Sequence, residues 1–167
     1  QLTERPNVDV EIYTLYLRGK YHVRKLNVVD IEKGLEILFQ VIEKAPDFPL
    51  PYVVVHHAYT FLGAIGVLPG DKAFGKGKPY LDKAIELDEN LPECYYYLAG
   101  ITFWQEWDME GTYRHLSKAL NLRPGYADAY NSVAATLATE GKFNAAMKYI
   151  ETALQLDPFS AFNHYLK

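Results

Sequence analysis

Lys83-Ala-Ile-Glu-Leu-Asp-Glu89, Lys118-Ala-Leu-Asn-Leu-Arg-Pro124 and Thr152-Ala-Leu-Gln-Leu-Asp-Pro158 are three versions of one heptapeptide. Their alanines, Ala84, Ala119 and Ala153, stand 35 and then 34 residues apart. That period marks an array of helix–turn–helix units, each burying its apolar face on the next. Such arrays bind more often than they catalyse, so the sequence is expected to reveal architecture better than biological role.

The residue after each second helix serves as a register mark: Pro46, Glu89 in place of a proline, Pro124 and Pro158. Proline ends a helix because it lacks an N–H and disfavours helical backbone at the residue before it. Second (B) helices are therefore expected at 30–44, 78–88, 110–122 and 143–156. First (A) helices are expected at 10–22, 50–62, 92–105 and 127–140, with a fifth starting at Ser160. Ile31, Leu35, Leu38 and Ile42 show the helical apolar spacing. Asp9, Asp30 and Ser160 are candidate N-caps, and Gly141 is the glycine that separates the last pair. Ala119 and Ala153 fall in mid-helix, where a small side chain permits close crossing and a larger one would be overpacked.

The expected fold is all-α: a right-handed helical-hairpin solenoid of about four helix pairs plus a C-terminal helix, in a single domain over residues 1–167. Its units are expected at 9–46, 49–89, 92–124 and 126–158, with a further helix beginning at 160–167. The first two units are irregular. The step from Pro46 to Glu89 is 43 residues, and the surplus is assigned to a flexible loop at 66–77 between helices A and B. Extra residues also fall at 25–29, and the third A helix is one residue long near 105–107. Gly34 and Gly77 stand where an alanine usually opens helix B.

Composition bounds the function. Hydrophobic residues make up 49% and charged residues 23%, which is globular rather than disordered. A net charge of −4 argues against a nucleic-acid-binding surface. The lone Cys94 leaves no internal disulfide. No apolar run approaches the ~20 residues that cross a bilayer, and no signal-peptide pattern occurs. The chain runs from Gln1 to Lys167, ending inside an expected helix, and reads as a piece of a longer protein. A cytoplasmic location is expected, or an extracytoplasmic one if a flank holds a transmembrane helix.

No motif commits the chain to catalysis. Gly70-Asp-Lys-Ala-Phe-Gly-Lys-Gly77 approximates a phosphate-binding loop, but Gly77 stands in place of the Mg²⁺-binding hydroxyl and no strand precedes it. His56 and His57 are adjacent, so on a helix they point about 100° apart and do not converge on one ion. Glu106, Asp108 and Glu110 fall where a B helix begins, which suits capping and the helix dipole. No nucleophile–base arrangement with a recognisable spacing appears. The expectation is a non-enzyme with no cofactor and no metal.

Tyr130-x-x-Val-Ala-x-x-Leu, Gly141-Lys-Phe, Ala146, Ile150, Ala153 and Pro158 together resemble a tetratricopeptide repeat. Trp107-Asp-Met-Glu-Gly, Leu116, Ala119 and Pro124 resemble the second half of another. More narrowly, the chain is similar to tetratricopeptide arrays attached to bacterial signalling proteins: winged-helix regulators, serine/threonine kinases or class III adenylate cyclases. Tyr16-Leu-Arg-Gly-Lys-Tyr21, Ala58-Tyr-x-x-Leu-Gly, Gly66-Val-Leu-Pro-Gly-Asp-Lys-Ala-Phe74 and Trp104-Gln-Glu-Trp-Asp-Met-Glu-Gly111 carry that likeness.

The resemblance implies a concave face lined by A helices. By register it places there Val53, His57, Thr60 and Phe61, then Glu93, Tyr96, Phe103 and Trp104, then Asp128 and Asn131. Neither Lys nor Arg occurs among them, so the clamp with which chaperone-binding relatives hold a C-terminal carboxylate does not carry over. An aromatic groove edged by Glu93 and Asp128 suits a helix or extended peptide with hydrophobic anchors. The expected function is protein–protein interaction or input sensing in a bacterial regulator, with a protein or peptide partner or another domain of the same protein. A structural oligomerisation module and a small-molecule sensor are the alternatives. The apolar Phe162, Tyr165 and Leu166 lead to the expectation of a weak homodimer through residues 160–167.

Overall fold

The computed structural model describes residues 8–158. These hold eight α-helices and no strand, in two compact units, one running to Glu89 and the other from Asn90. The fifth A helix and the dimer contact expected at 160–167 lie outside the described residues.

In the first unit α1 (Val10–Val23) packs on α2 (Val28–Lys44), and α3 (Pro49–Ala64) on α4 (Gly70–Leu87). Asp9 caps α1, its Oδ1 accepting the Glu11 N–H at 2.7 Å. Two glycines let the helices of the first pair close together. A Cβ on Gly34 would stand 2.7 Å from Val23 Cγ2 and 2.9 Å from the Gly19 carbonyl oxygen; one on Gly19 would stand 2.8 Å from Leu38 Cγ. Glycine replaces the usual alanine at 34 because no methyl fits there. Val23, Ile31, Leu38, Val41 and Val55 are fully buried around this crossing.

The cap of α2 differs from expectation. It is Asn27 rather than Asp30, and Asp30 answers it from the first turn. Asn27 Oδ1 accepts the Asp30 N–H at 3.0 Å, and Asn27 Nδ2 donates to Asp30 Oδ2 at 2.8 Å. Asp30 Oδ1 also meets His22 Nδ1 at 2.7 Å and Lys25 Nζ at 2.9 Å. These bonds, Asn27's foremost and then those of His22 and Lys25, hold the Asp30 carboxyl well below the usual carboxylate range. The turn that Asp30 ties together is 24–27, and the remaining extra residues, Val28 and Val29, already belong to α2.

The glycine-rich stretch 70–77 is the larger correction. It is the start of α4, not a flexible loop. Glycine costs a helix about 1 kcal/mol relative to alanine, and α4 offsets that by packing. Ala73 is buried against α3, where a Cβ on Gly63 would stand 2.7 Å from the Ala73 Cβ. At Gly77 an added Cβ would meet the Tyr59 Cβ at 3.2 Å and His56 Nδ1 at 3.3 Å, so glycine again marks close approach. The surplus residues lengthen the second pair of helices, and the turn between them is only Ile65–Pro69.

In the second unit α5 (Pro92–Ile101) runs into a π-helical stretch, Thr102–Glu106. It is followed by α6 (Met109–Leu122), α7 (Ala127–Thr139) and α8 (Phe143–Leu156). A π turn absorbs one residue more than an α turn, which accounts for the long third A helix. Asp108 caps α6 by accepting the Gly111 N–H on Oδ1 at 2.9 Å. Ala119 and Ala153 are 0% exposed, as close crossing requires, but each stands in the last turn of its helix, three residues from the end, rather than in mid-helix. Leu116, Ala119, Ala129 and Val133 form one part of the core, and Ala134, Ala146 and Ile150 another.

Candidate interaction site

The ten residues placed on the A-helix faces fall into two groups, one in each unit. In the first unit all four lie on α3. Val53 is buried, His57 and Phe61 are half-buried, and Thr60 is exposed. The Thr60 hydroxyl turns back onto its own helix and donates to the His56 carbonyl at 3.0 Å. Burial, with the nearby Arg24 charge, pushes the His57 pKa down, so His57 is neutral near pH 7. Burial pushes His56 down further, to about 4, against a hydrogen bond with the Gly77 backbone. Among the described residues no group of three or more His, Cys, Asp or Glu is placed to hold a metal ion.

In the second unit α5 supplies Glu93 and Tyr96, its π-helical continuation Phe103 and Trp104, and α7 Asp128 and Asn131. Phe103 and Asn131 are buried, Glu93 and Tyr96 half-buried, Trp104 and Asp128 exposed. Tyr96 joins the two helices. Its ring lies 5.4 Å from that of Tyr126, at the start of α7, and 5.2 Å from Tyr97 in an edge-on contact. Its hydroxyl is hydrogen-bonded to Ser132. Burial, followed by the Asp128 charge, raises the Tyr96 pKa against that bond, so the phenol stays protonated.

Reading the A helices alone misses Arg123. It caps the C-terminus of α6, a B helix, and its Nη2 reaches Glu93 Oε1 at 2.5 Å. The guanidinium also lies 4.9 Å from the centre of the Tyr126 ring. The sequence signal was its place beside the register mark Pro124, but the direction of the side chain follows from α5 lying opposite. The A-helix face of this unit thus has a cation, engaged by Glu93 and stacked on Tyr126. The other Glu93 oxygen, Oε2, is buried and makes no hydrogen bond. The exposed surface beside this pair includes Trp104 and Asp128, with Tyr96 half-buried between α5 and α7.

Residues 127–160 match the tetratricopeptide repeat family. The chain is 28% identical over 162 residues to the transcriptional regulator HilA of Salmonella typhimurium, and equally to HilA of Salmonella typhi. The match covers 96% of this chain and 29% of the relative's length. Among solved structures it resembles a thermophilic TPR protein of Thermus thermophilus, with a TM-score of 0.73 at 16% identity over 98% of this chain and 81% of that one. It also resembles MamA, with a TM-score of 0.55 at 21% identity over 88% of this chain and 78% of that one. At such identities these likenesses establish the fold. The chain has the all-α helical-hairpin fold of the tetratricopeptide proteins it resembles, and its residues 127–160 match the tetratricopeptide repeat.

Proposed function

We propose that this chain is the interaction or input-sensing module of a bacterial regulatory protein, taking up a peptide or a segment of a partner on its A-helix faces. Tetratricopeptide arrays are interaction scaffolds, and the likeness to a transcriptional regulator along nearly the whole chain supplies the regulatory context. The observation that carries the reading is the α5–α7 face. There Tyr96 is held by Ser132 and Tyr126, Trp104 is exposed, and Asp128 stands beside them while Arg123 is engaged by Glu93. An aromatic surface fixed by its own hydrogen bonds loses little entropy on binding. The occupant would be a helix or extended segment with apolar anchors, and its occupancy would change how an attached effector is presented. The compartment that fits is the cytoplasm.

The test is selection of a displayed random-peptide library on the parent chain, followed by affinity measurement of the consensus peptide on variants. Asp128→Lys and Trp104→Ala change exposed positions, so melting temperature should hold while affinity falls about tenfold or more. Thr60→Arg makes the same test on α3. Val53, Phe103 and Asn131 are buried, and substitutions there would report on folding as well as on binding. Full affinity in all three exposed variants would move the site off the A-helix faces.

A further inference from the structure

Each helix hairpin contains one residue with a left-handed backbone: Leu26, Gly66, Trp107 and Gly141. Trp107 and Gly141 are 34 residues apart, one repeat period, with φ of 54° and 76°. Glycine adopts this conformation freely, whereas a residue with a Cβ is strained there. At 107 the chain carries the bulkiest residue instead, and leaves it 64% exposed. Trp104, on the π-helical turn, is 78% exposed. Neither indole is needed to fill a core. Both rest on one buried ring, Phe103, whose centroid is 4.8 Å from Trp104 and 5.8 Å from Trp107.

The sequence around this pair is acidic. Between Lys83 and Arg114 there is no Lys or Arg, and the Arg114 guanidinium turns back to Gly111 beside Asp108, while Glu106 and Glu110 are both exposed, one on each side of Trp107 in the sequence. An exposed indole face attracts cations through its quadrupole, and neighbouring carboxylates add to that attraction. We propose that Trp104 and Trp107, supported by Phe103 and fringed by Glu106 and Glu110, form a docking surface for an arginine- or lysine-bearing segment of a protein partner. The cationic side chain would lie on an indole with its charge toward the carboxylates. This surface goes beyond the A-helix site proposed above: Trp107, Glu106 and Glu110 belong to the turn and the start of α6, and the substitutions that test them leave Tyr96 and Asp128 intact.

The experiment titrates a short labelled peptide of arginine and alanine, and its glutamate–alanine counterpart, into the whole chain, reading anisotropy and tryptophan emission. Trp107→Gly is the decisive variant, because it changes no charge and gives the backbone the residue its conformation favours. The arginine peptide should bind the parent and shift its emission; the glutamate peptide should not. Trp107→Gly should melt no lower than the parent yet bind the arginine peptide about tenfold more weakly. Glu106→Lys with Glu110→Lys should bind it more weakly still. The idea is overturned if the arginine peptide fails to bind the parent, if Trp107→Gly binds it as the parent does, or if sedimentation shows that Trp107 instead joins two copies of the chain. The A-helix reading is tested separately, by the consensus peptide on Asp128→Lys and Thr60→Arg, which leave Trp104, Trp107, Glu106 and Glu110 unchanged.

Discussion

Thr102 Oγ1 lies 3.0 Å from Thr112 Oγ1, and both side chains are buried where the π-helical turn meets α6. Each hydroxyl has one proton and a carbonyl acceptor of its own, Asp108 for Thr112 at 2.7 Å and Ala99 for Thr102 at 3.0 Å, so either can donate across the pair. The pair links the π-helical turn to the residue that caps α6, with Thr112 in the middle. Thr112→Val keeps the shape and removes the middle member, leaving the Thr102 hydroxyl only the carbonyls of Leu98 and Ala99. We expect a loss of about 1–2 kcal/mol by urea unfolding. In a double-mutant cycle Thr102→Val should add less than its single cost, since the two share one network. Full additivity would mean the hydroxyls act independently.

The period of the alanines is enough to place α8 at 143–156, because its apolar spacing and Pro158 agree. It is not enough at Gly70–Gly77. Three glycines in eight residues read as a loop, and only the burial of Ala73 against Gly63 and the fit of Gly77 beside Tyr59 make the stretch helical. Those contacts join residues far apart in sequence. The same limit hides the Arg123–Glu93 pair, whose members are 30 residues apart on different helices. Trp107 is a third case: the extra residue near it is legible in the period, but its left-handed backbone is a matter of geometry.

Two glycine substitutions should have opposite signs. At Gly34 a methyl meets the Gly19 carbonyl oxygen at 2.9 Å and the Val23 nitrogen at 3.0 Å, backbone atoms that cannot rotate away. Gly34→Ala should destabilise by about 1–2 kcal/mol, overpacking outweighing the gain in helix propensity. At Gly75, within α4, nothing lies within 4 Å. Gly75→Ala should stabilise by about 1 kcal/mol. Denaturant melts of the pair would decide it. A destabilised Gly75→Ala would argue against helix at the start of α4, and an unchanged Gly34→Ala against the tight α1–α2 crossing.

Ala119 is 0% exposed beside Leu116, Ala129 and Val133. Ala119→Leu adds three carbons to a packed crossing and should cost about 1–3 kcal/mol. Lys118→Leu, one position along and exposed, is the control and should stay within about 0.5 kcal/mol. If both variants melt with the parent, α6 is not packed through the face that holds Ala119.

The last prediction concerns acid. His56 is 3% exposed on α3, and burial moves its pKa from an ordinary 6.5 down to about 4. The folded state therefore holds it neutral while the unfolded chain takes up a proton, which makes the unfolded state the better proton binder between pH 4 and 6.5. Stability present above pH 6.5 should drain away as the pH falls through this window, by up to about 3 kcal/mol from this group alone. His57, also depressed, adds a loss of the same sign. The Asp30 network titrates lower, because its folded carboxyl is held below the usual range, so its share is lost only beneath the histidine window. His56→Gln removes the titration and keeps a polar side chain of similar length. Melts of parent and variant at pH 7.5 and pH 4.5 should show a much smaller drop for the variant. Equal drops would mean that His56 takes up its proton without loss of the fold, and that the acid sensitivity lies elsewhere.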